Sequence, residues 1–544
     1  MDVEGDLATP VDKILRVVPS LRKCIIRLPF ENGFIDDQGG PLGGTAVDGL
    51  LNLSFLDELR GGKDNFVPVE LFVCQEVQDM FSLLITQHKK RIRRRILTGS
   101  PGIGKSVVFF LAALQRALSL QQRVIYVRKV EGEAIFSVFV MERNPSGTGV
   151  NVLVGHDMTR RRMPNQSLSV FVNTIIDASM LKDDDFYMMV DGPKHNDEFD
   201  FLLHTSYQAL CTSGGYPAPK QAEFLHVRIL VMSGWTEEKL KVAMRSLNIL
   251  EIETKYELAG GRIRMVFWDE AQIKEWFGTV IQSIGQEAVN LAVTSNVASG
   301  YTESKDRLRT RFVDTQSGVM NSQMIVDSQF AFNKLKDRLT DKNILPAYNL
   351  AKVLGLKAAS GWFYEEILHR RFWDLTKPPN PPIKEWIHEE GISGADGVKS
   401  FVQKCRQKTD IYWCPPIPNF TNIDAALYKR ESCILICYQY TVQEQHSFNN
   451  ETFWEDFVNR LVVGGAQIQI QRVHVVFVTP SKMSFDMSSH PDYERNVSTG
   501  KPTQTRLSPL QQIPVNFRHV SLDATCSADE VAENLLTVNE AANT

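Results

Sequence analysis

Between residues 66 and 279 the chain shows short apolar runs at 94–98, 124–128, 186–190, 228–232 and 264–268, separated by helix-length segments. Uninterrupted apolar strands joined by crossovers are what a parallel sheet covered on both faces needs, so 66–279 is predicted to be an α/β domain. Residues 280–350 lack such runs. They carry Phe330, Phe332, Leu335 and Leu339 at helical spacing, which predicts a helical lid or connector. A second α/β unit is predicted over 351–520. Its first helix holds Trp362, Phe363, Ile367 and Leu368, and the Pro-rich stretch 377–382 must be a loop. Strands follow near 423–427, 433–438 and 473–478, with Trp454, Phe457 and Leu461 marking a crossover helix between the last two. Residues 1–65 read as a header or extension with a Gly-rich stretch at 33–44, and 521–544 as a tail.

Composition narrows this picture. The 544 residues leave room for three or four domains of ~150 residues each. A hydrophobic share of 43% beside 23% charged residues excludes collagenous, coiled-coil and wholly disordered chains. Lys plus Arg number 60 against 64 Asp plus Glu, a formal charge of -4, so affinity for nucleic acid would have to come from local patches. The acidic first residues, Asp2, Glu4 and Asp6, do not suit a secretory signal, and the most apolar helix candidate, 106–115, falls short of the ~20 residues of a membrane span. Cysteines at 24, 74, 211, 405, 414, 433, 437 and 526 form no C-x-x-C pair, which predicts reduced intracellular thiols.

The most specific signal is Gly99-Ser100-Pro101-Gly102-Ile103-Gly104-Lys105-Ser106, a full G-x-x-x-x-G-K-[ST] match between a predicted strand and an apolar helix. Glycines let backbone N–H groups curl around a β-phosphate, and the helix N-terminus adds a favourable dipole. Lys105 would reach the β- and γ-phosphates and Ser106 would ligate Mg²⁺, so ATP with Mg²⁺ is the expected cofactor. A Mg²⁺ site also needs a carboxylate at a neighbouring strand end. Asp191 closes one apolar run, and Asp269-Glu270 follows another. Strand order favours Asp191 as the metal carboxylate and makes Asp269-Glu270 a helix N-terminal charge pair. Ser233, at the end of the run after Asp191, is the candidate γ-phosphate sensor. Gly192 stands where a glutamate base often follows, leaving Asp197 or Glu198 as substitutes.

The G-x-P-G-I-G-K-S loop, Val190-Asp191-Gly192-Pro193, Trp268 and the lead-in Val69-Glu70-Leu71-Phe72-Val73 resemble the Crinkler and retrotransposon-hot-spot family of P-loop NTPases over about 66–275. The chain departs from that pattern in lacking a leucine-rich header near its start and a Gly-Gly-x-x-Arg sensor at 300–325, where Gln316-Ser317-Gly318-Val319 stands. The resemblance implies an effector with ATPase activity, acting in a host nucleus after secretion by an unconventional route, with DNA or host nuclear proteins as partners. It further implies a C-terminal domain similar to restriction endonucleases, in which a helix glutamate, a strand aspartate and an E/Q-x-K strand hold a metal ion. Glu365, Asp424 and Gln439 match those positions, with Asp424 as the metal ligand, and Thr441 stands in place of the lysine. From the residues alone, the alternative is that Asp424 turns a strand and Gln439 satisfies a buried edge.

The run Lys89-Lys90-Arg91-Ile92-Arg93-Arg94-Arg95 reads as a nuclear-import or nucleic-acid patch, or else as a solvated helix end, and Arg160-Arg161-Arg162 is a second, weaker patch. Three functions fit the phosphate-loop motif, the last of them leaving residues 350–520 unexplained. The first is an ATPase controlling a nuclease-like, nucleic-acid-targeting domain. The second is a non-hydrolysing nucleotide switch that binds host protein or DNA, and the third is a small-molecule P-loop kinase.

Overall fold

The computed structural model describes residues 10–18, 21–27, 48–60, 68–86, 94–119, 122–129, 135–145, 147, 149–159, 173–177, 186–192, 209–212, 227–249, 251–285, 307–314, 321–377, 381–388, 393–406, 410–416, 420–444, 448, 450–462, 468–480, 485, 513 and 515–536. The chain divides into two compact units, Met1–Arg338 and Leu339–Thr544. Both are mixed α/β.

In the first unit β1 (Arg22–Ile26) is followed by a two-stranded ribbon of β2 (Gly49–Asn52) and β3 (Glu70–Val73). Then come β4 (Arg94–Thr98), β5 (Arg123–Lys129), β6 (Ile135–Arg143), β7 (Val150–Thr159), β8 (Phe186–Asp191), β9 (Ala209–Cys211) and β10 (Val227–Val231). These form one eight-stranded sheet in the order β1-β7-β6-β5-β8-β9-β4-β10. The five strands from β5 to β10 run parallel, whereas β6, β7 and β1 extend the sheet antiparallel. The predicted all-parallel sheet is therefore corrected to a parallel core with an antiparallel flank. That flank takes in β1, so part of the predicted header belongs to the sheet.

Alternation along the strands decides what reaches the site. Ile125, Val127, Met188, Val190 and Leu210 face one way, into a core with Ile14, Val18 and Ile175. Tyr126, Arg128, Asp191 and Cys211 occupy the intervening positions, in register across the sheet as Arg128–Asp191–Cys211. The Lys105–Ser119 helix is apolar nearly all round and buried along its length, as a helix between a sheet and another element must be. Phe110 packs edge-on to Tyr126 and Phe139, each at 5.1 Å between ring centres. At its far end Arg116 donates from Nη2 to the Leu84 carbonyl at 2.6 Å, tying it to the Gln75–Ile85 helix.

Two sequence expectations change here. The run 264–268 is not a strand: Ile263–Val266 is a single helical turn, and Asp269 caps the Glu270–Gln282 helix through a capping box with Gln272. The segment 280–350 is not purely helical, because β11 (Thr310–Asp314) and β12 (Asn321–Ile325) form an antiparallel hairpin within it.

In the second unit, β13 (Glu385–His388), β14 (Asp410–Cys414), β15 (Ala425–Lys429), β16 (Ile434–Tyr440), β17 (Arg472–Thr479) and β18 (Val515–Ser521) form a sheet in chain order. The β14–β15 and β15–β16 pairs are antiparallel and the others parallel. One face carries Trp413, Cys437, Val475 and Phe477 into a core shared with Phe401, Phe457 and Leu461. The opposite face carries Tyr412, which stacks on Phe372 of the Lys357–Asp374 helix at 4.2 Å. The chain after Ser521 holds the short Ala528–Val531 helix, and Leu535 is buried.

Candidate functional site

The Gly99–Ser106 loop leaves the end of β4 and enters the Lys105–Ser119 helix without an intervening linker. Gly99 has φ +152°, and a Cβ there would stand 2.5 Å from the Met232 carbonyl oxygen, so the close approach of β10 admits only glycine. The loop is buttressed from outside. Trp235 Nε1 donates to the Ile103 carbonyl at 3.0 Å, and the Arg311 backbone N–H to Ser100 Oγ at 2.6 Å. Lys105 is buried and donates to the Ser100 carbonyl. Burial pushes its ammonium down to about 8; Arg264 and Arg311 add to the lowering, while Cys211 and Asp191 oppose it.

Asp191 emerges from β8 on the same side of the sheet as the helix and is almost fully buried. Its Oδ1 accepts from Ser106 Oγ at 3.1 Å, and its Oδ2 from Tyr126 OH at 2.9 Å and from Arg128. Oxygen donors on Ser106 and Asp191 at the mouth of a phosphate loop are the chemistry Mg²⁺ prefers, so the residues present fit a Mg²⁺-nucleotide. The following turn explains Gly192: its φ is +82°, and a Cβ would stand 3.0 Å from the Lys129 carbonyl. Asp197 and Glu198 lie outside the described residues.

Ser233 takes a different place from the one strand counting gave it. The apolar runs put it on the strand after Asp191, but β9 intervenes and lies between β8 and β4, while β10 is the edge strand beyond β4. Ser233 Oγ accepts from the Val313 N–H at 3.4 Å. The polar residue at the end of the intervening strand is Thr212, whose N–H donates to Leu97 at 2.9 Å. A second residue set has no counterpart among the sequence expectations. The spacing Gly-Gly-x-x-Arg is present at Gly260-Gly261-Arg262-Ile263-Arg264, not at 300–325, and Arg264 N–H donates to the Gly102 carbonyl at 3.0 Å. A Cβ on Gly102 would come within 3.4 Å of Arg264 Cβ, so this segment packs directly on the loop.

In the second unit Asp424 and Gln439 are brought together. Asp424 Oδ2 accepts from Gln439 Nε2 at 2.8 Å and from the Tyr440 N–H at 2.6 Å. These bonds tie the entry of β15 to the end of β16, the strand-turning role that the residues alone allowed. Burial holds the Asp424 carboxyl well above the usual carboxylate range, and Glu365 raises it further, so the helix glutamate lies within electrostatic reach. Glu365 Oε1 is 3.3 Å from His369 Nε2. Thr441 is buried, and Lys429, on β15, donates to the Leu536 carbonyl. Among the described residues no group of three or more His, Cys, Asp or Glu side chains is arranged to hold a metal ion.

The basic run is only partly described. Lys89 to Arg93, like Arg160-Arg161-Arg162, fall outside the described residues. Arg95 is buried, donating to Tyr187 OH at 2.9 Å and to the Thr86 carbonyl, so this member of the run faces the protein and not a phosphate backbone. No helix among the described residues is long and apolar enough to cross a membrane.

No family model matches the chain, and no curated protein matches it. Among solved structures it is similar to the crystal structure of Cdc6p from Pyrobaculum aerophilum, at 11% sequence identity and a TM-score of 0.22, over 49% of this chain and 93% of that one.

Proposed function

We propose that the first unit is a Mg²⁺-dependent ATPase. The observation that carries this reading is the meeting of Ser106 and Asp191 at 3.1 Å beside a complete phosphate loop. In it the loop N–H groups from Gly99 to Gly104 cradle the phosphates, and Lys105 pairs with their charge. Ser106 and Asp191 would hold Mg²⁺, which when bound neutralises charge developing on the phosphates. Arg264 takes the place of the family's sensor arginine, and Thr212 replaces Ser233 as the polar group at the neighbouring strand end. For the second unit we adopt the nuclease-like, nucleic-acid-targeting role implied by the resemblance, as a Crinkler-like effector domain controlled by the nucleotide state. Gln439 and Thr441 in place of an acid and a lysine argue for binding without phosphodiester cleavage.

The test is ATP turnover with and without Mg²⁺. Asp191→Asn should lower Mg²⁺-dependent turnover by about tenfold or more, equivalent to about 1.4 kcal/mol of transition-state stabilisation. Asp269→Asn should change it by less than about twofold, since asparagine caps a helix as well as aspartate does. The reverse order would place the metal carboxylate at 269. Arg264→Ala should reduce turnover by about tenfold or more while affinity for ATP changes less, as expected of an arginine that acts on transition-state charge. Tight ATP binding with no turnover in the wild-type protein would select the non-hydrolysing switch.

A further inference from the structure

A cluster on the helix-covered face of the second sheet shares Glu365 with the nuclease-like set but adds His369 and Cys414, which neither role above uses. The Lys357–Asp374 helix presents Glu365 and His369 one turn apart, and β14 ends in Tyr412 and Cys414, which share the face turned toward that helix. His369 Nδ1 lies 3.4 Å from Cys414 Sγ and 2.9 Å from Tyr412 OH, while Nε2 lies 3.3 Å from Glu365 Oε1. Tyr412 OH is in turn 2.8 Å from Tyr440 OH. We propose that Cys414, His369 and Glu365 form a nucleophilic cysteine site that accepts acyl groups from esters, thioesters or amides.

A nucleophile, a base within hydrogen-bond reach and a carboxylate orienting that base are the parts such chemistry needs. The protons can be assigned so that every group is satisfied. Tyr412 donates to Tyr440 and so offers its oxygen to Nδ1–H, Cys414 accepts from the same N–H as a thiolate, and Nε2–H donates to Glu365. His369 is then an imidazolium. Its environment agrees: burial alone would lower it, yet Cys414 and Glu365 hold it well above the usual histidine range. Cys414 is lowered in spite of burial by His369, with a further contribution from His388. Asp424 also faces this group, within electrostatic range of both His369 and Cys414.

The other cysteines provide the contrast. Burial pushes the thiols of Cys24, Cys74, Cys211, Cys405, Cys437 and Cys526 up, as befits inert core residues. Cys414 itself is only 4% exposed, but it stands opposite His388 in the β13–β14 register, and His388 is exposed. The Glu365 side chain is 31% exposed. The thiol therefore sits one side chain below the surface. In the reaction Sγ would form a bond to the carbonyl carbon, the bond to the leaving group would break, and the leaving group would take the His369 proton. Water would then hydrolyse the thioester, returning a proton to His369 and releasing the thiolate.

The experiment uses the full-length protein and p-nitrophenyl acetate at pH 6, with the acetylated cysteine located by peptide mass mapping. Cys414 should acetylate at least about tenfold faster than the half-buried Cys433, which has no histidine–carboxylate pair beside it among the described contacts. p-Nitrophenol should appear in a burst that is absent in Cys414→Ser. Glu365→Gln and His369→Gln should slow acetylation at pH 6 and make its rate climb with pH as an ordinary thiol does. Thermal denaturation reports whether each variant folds; should His369→Gln fail, the partly exposed Glu365→Gln gives the same readout. Acetylation of Cys414 no faster than that of Cys433, or a rate indifferent to both substitutions, overturns the proposal.

Discussion

Replacing Lys105 with alanine is expected to weaken ATP binding by about tenfold to 150-fold, because a hydrogen bond to a charged group contributes about 1.5–3 kcal/mol and each 1.4 kcal/mol is a factor of ten. The fold should survive, since the substitution removes a desolvated cation and no core contact; the apolar length of its helix begins at Val108. The wild-type site should also respond to pH. With its ammonium lowered to about 8 by burial, Lys105 is charged at pH 7 and loses its proton as pH rises through that value. Bound phosphates favour the charged form, so binding takes up a proton above pH 8 and affinity declines there; below pH 8 it is flat in this respect. A titration with a fluorescent ATP analogue at pH 7 and pH 9 reads both effects. Equal affinity in wild type and Lys105→Ala at pH 7 would falsify the phosphate-loop assignment.

Some of this site could be read directly from the chain and some could not, for reasons that differ residue by residue. The loop from Gly99 to Ser106 was legible because its chemistry is carried by consecutive backbone positions, and Asp191 because an apolar strand ending in a carboxylate is a local pattern. The strand β9 spans only Ala209–Cys211, too short to show a period, and its omission shifted Ser233 into the wrong position. Arg264 was hidden by the apolar run that follows it. Met265 and Val266 are buried while Phe267 is 61% exposed, a pattern made by a helical turn and not by a strand, and composition alone does not separate the two. The second unit was read from its central strands. The pairing of His369 with Cys414 joins a helix to a strand end 45 residues away, and no spacing rule reports such a contact.

The same buttress contains the position where the largest loss of stability is expected. Arg262 and Asp327 are both wholly buried, with Nη1 3.5 Å from Oδ1. Asp327 Oδ2 accepts from the Gly261 N–H at 2.6 Å, Arg262 Nη1 donates to the Ala259 carbonyl at 3.2 Å, and the guanidinium lies over Phe277 at 5.6 Å. Burial lowers Arg262 and raises Asp327, so each charge is held by the other against the cost of leaving water. Asp327→Ala strands the guanidinium and the Gly261 N–H together, which should destabilise the first unit by about 3–5 kcal/mol. Replacing both, as Arg262→Met with Asp327→Leu, should cost less than Asp327→Ala alone, because no buried charge is then left without its partner. Chemical denaturation of the two variants beside the wild-type protein measures this. Since Gly260 to Arg264 lies against Gly102, the single variant should also lose ATP affinity before it unfolds, whereas an ion pair of no consequence would leave both the denaturation midpoint and nucleotide binding where they are in the wild-type protein.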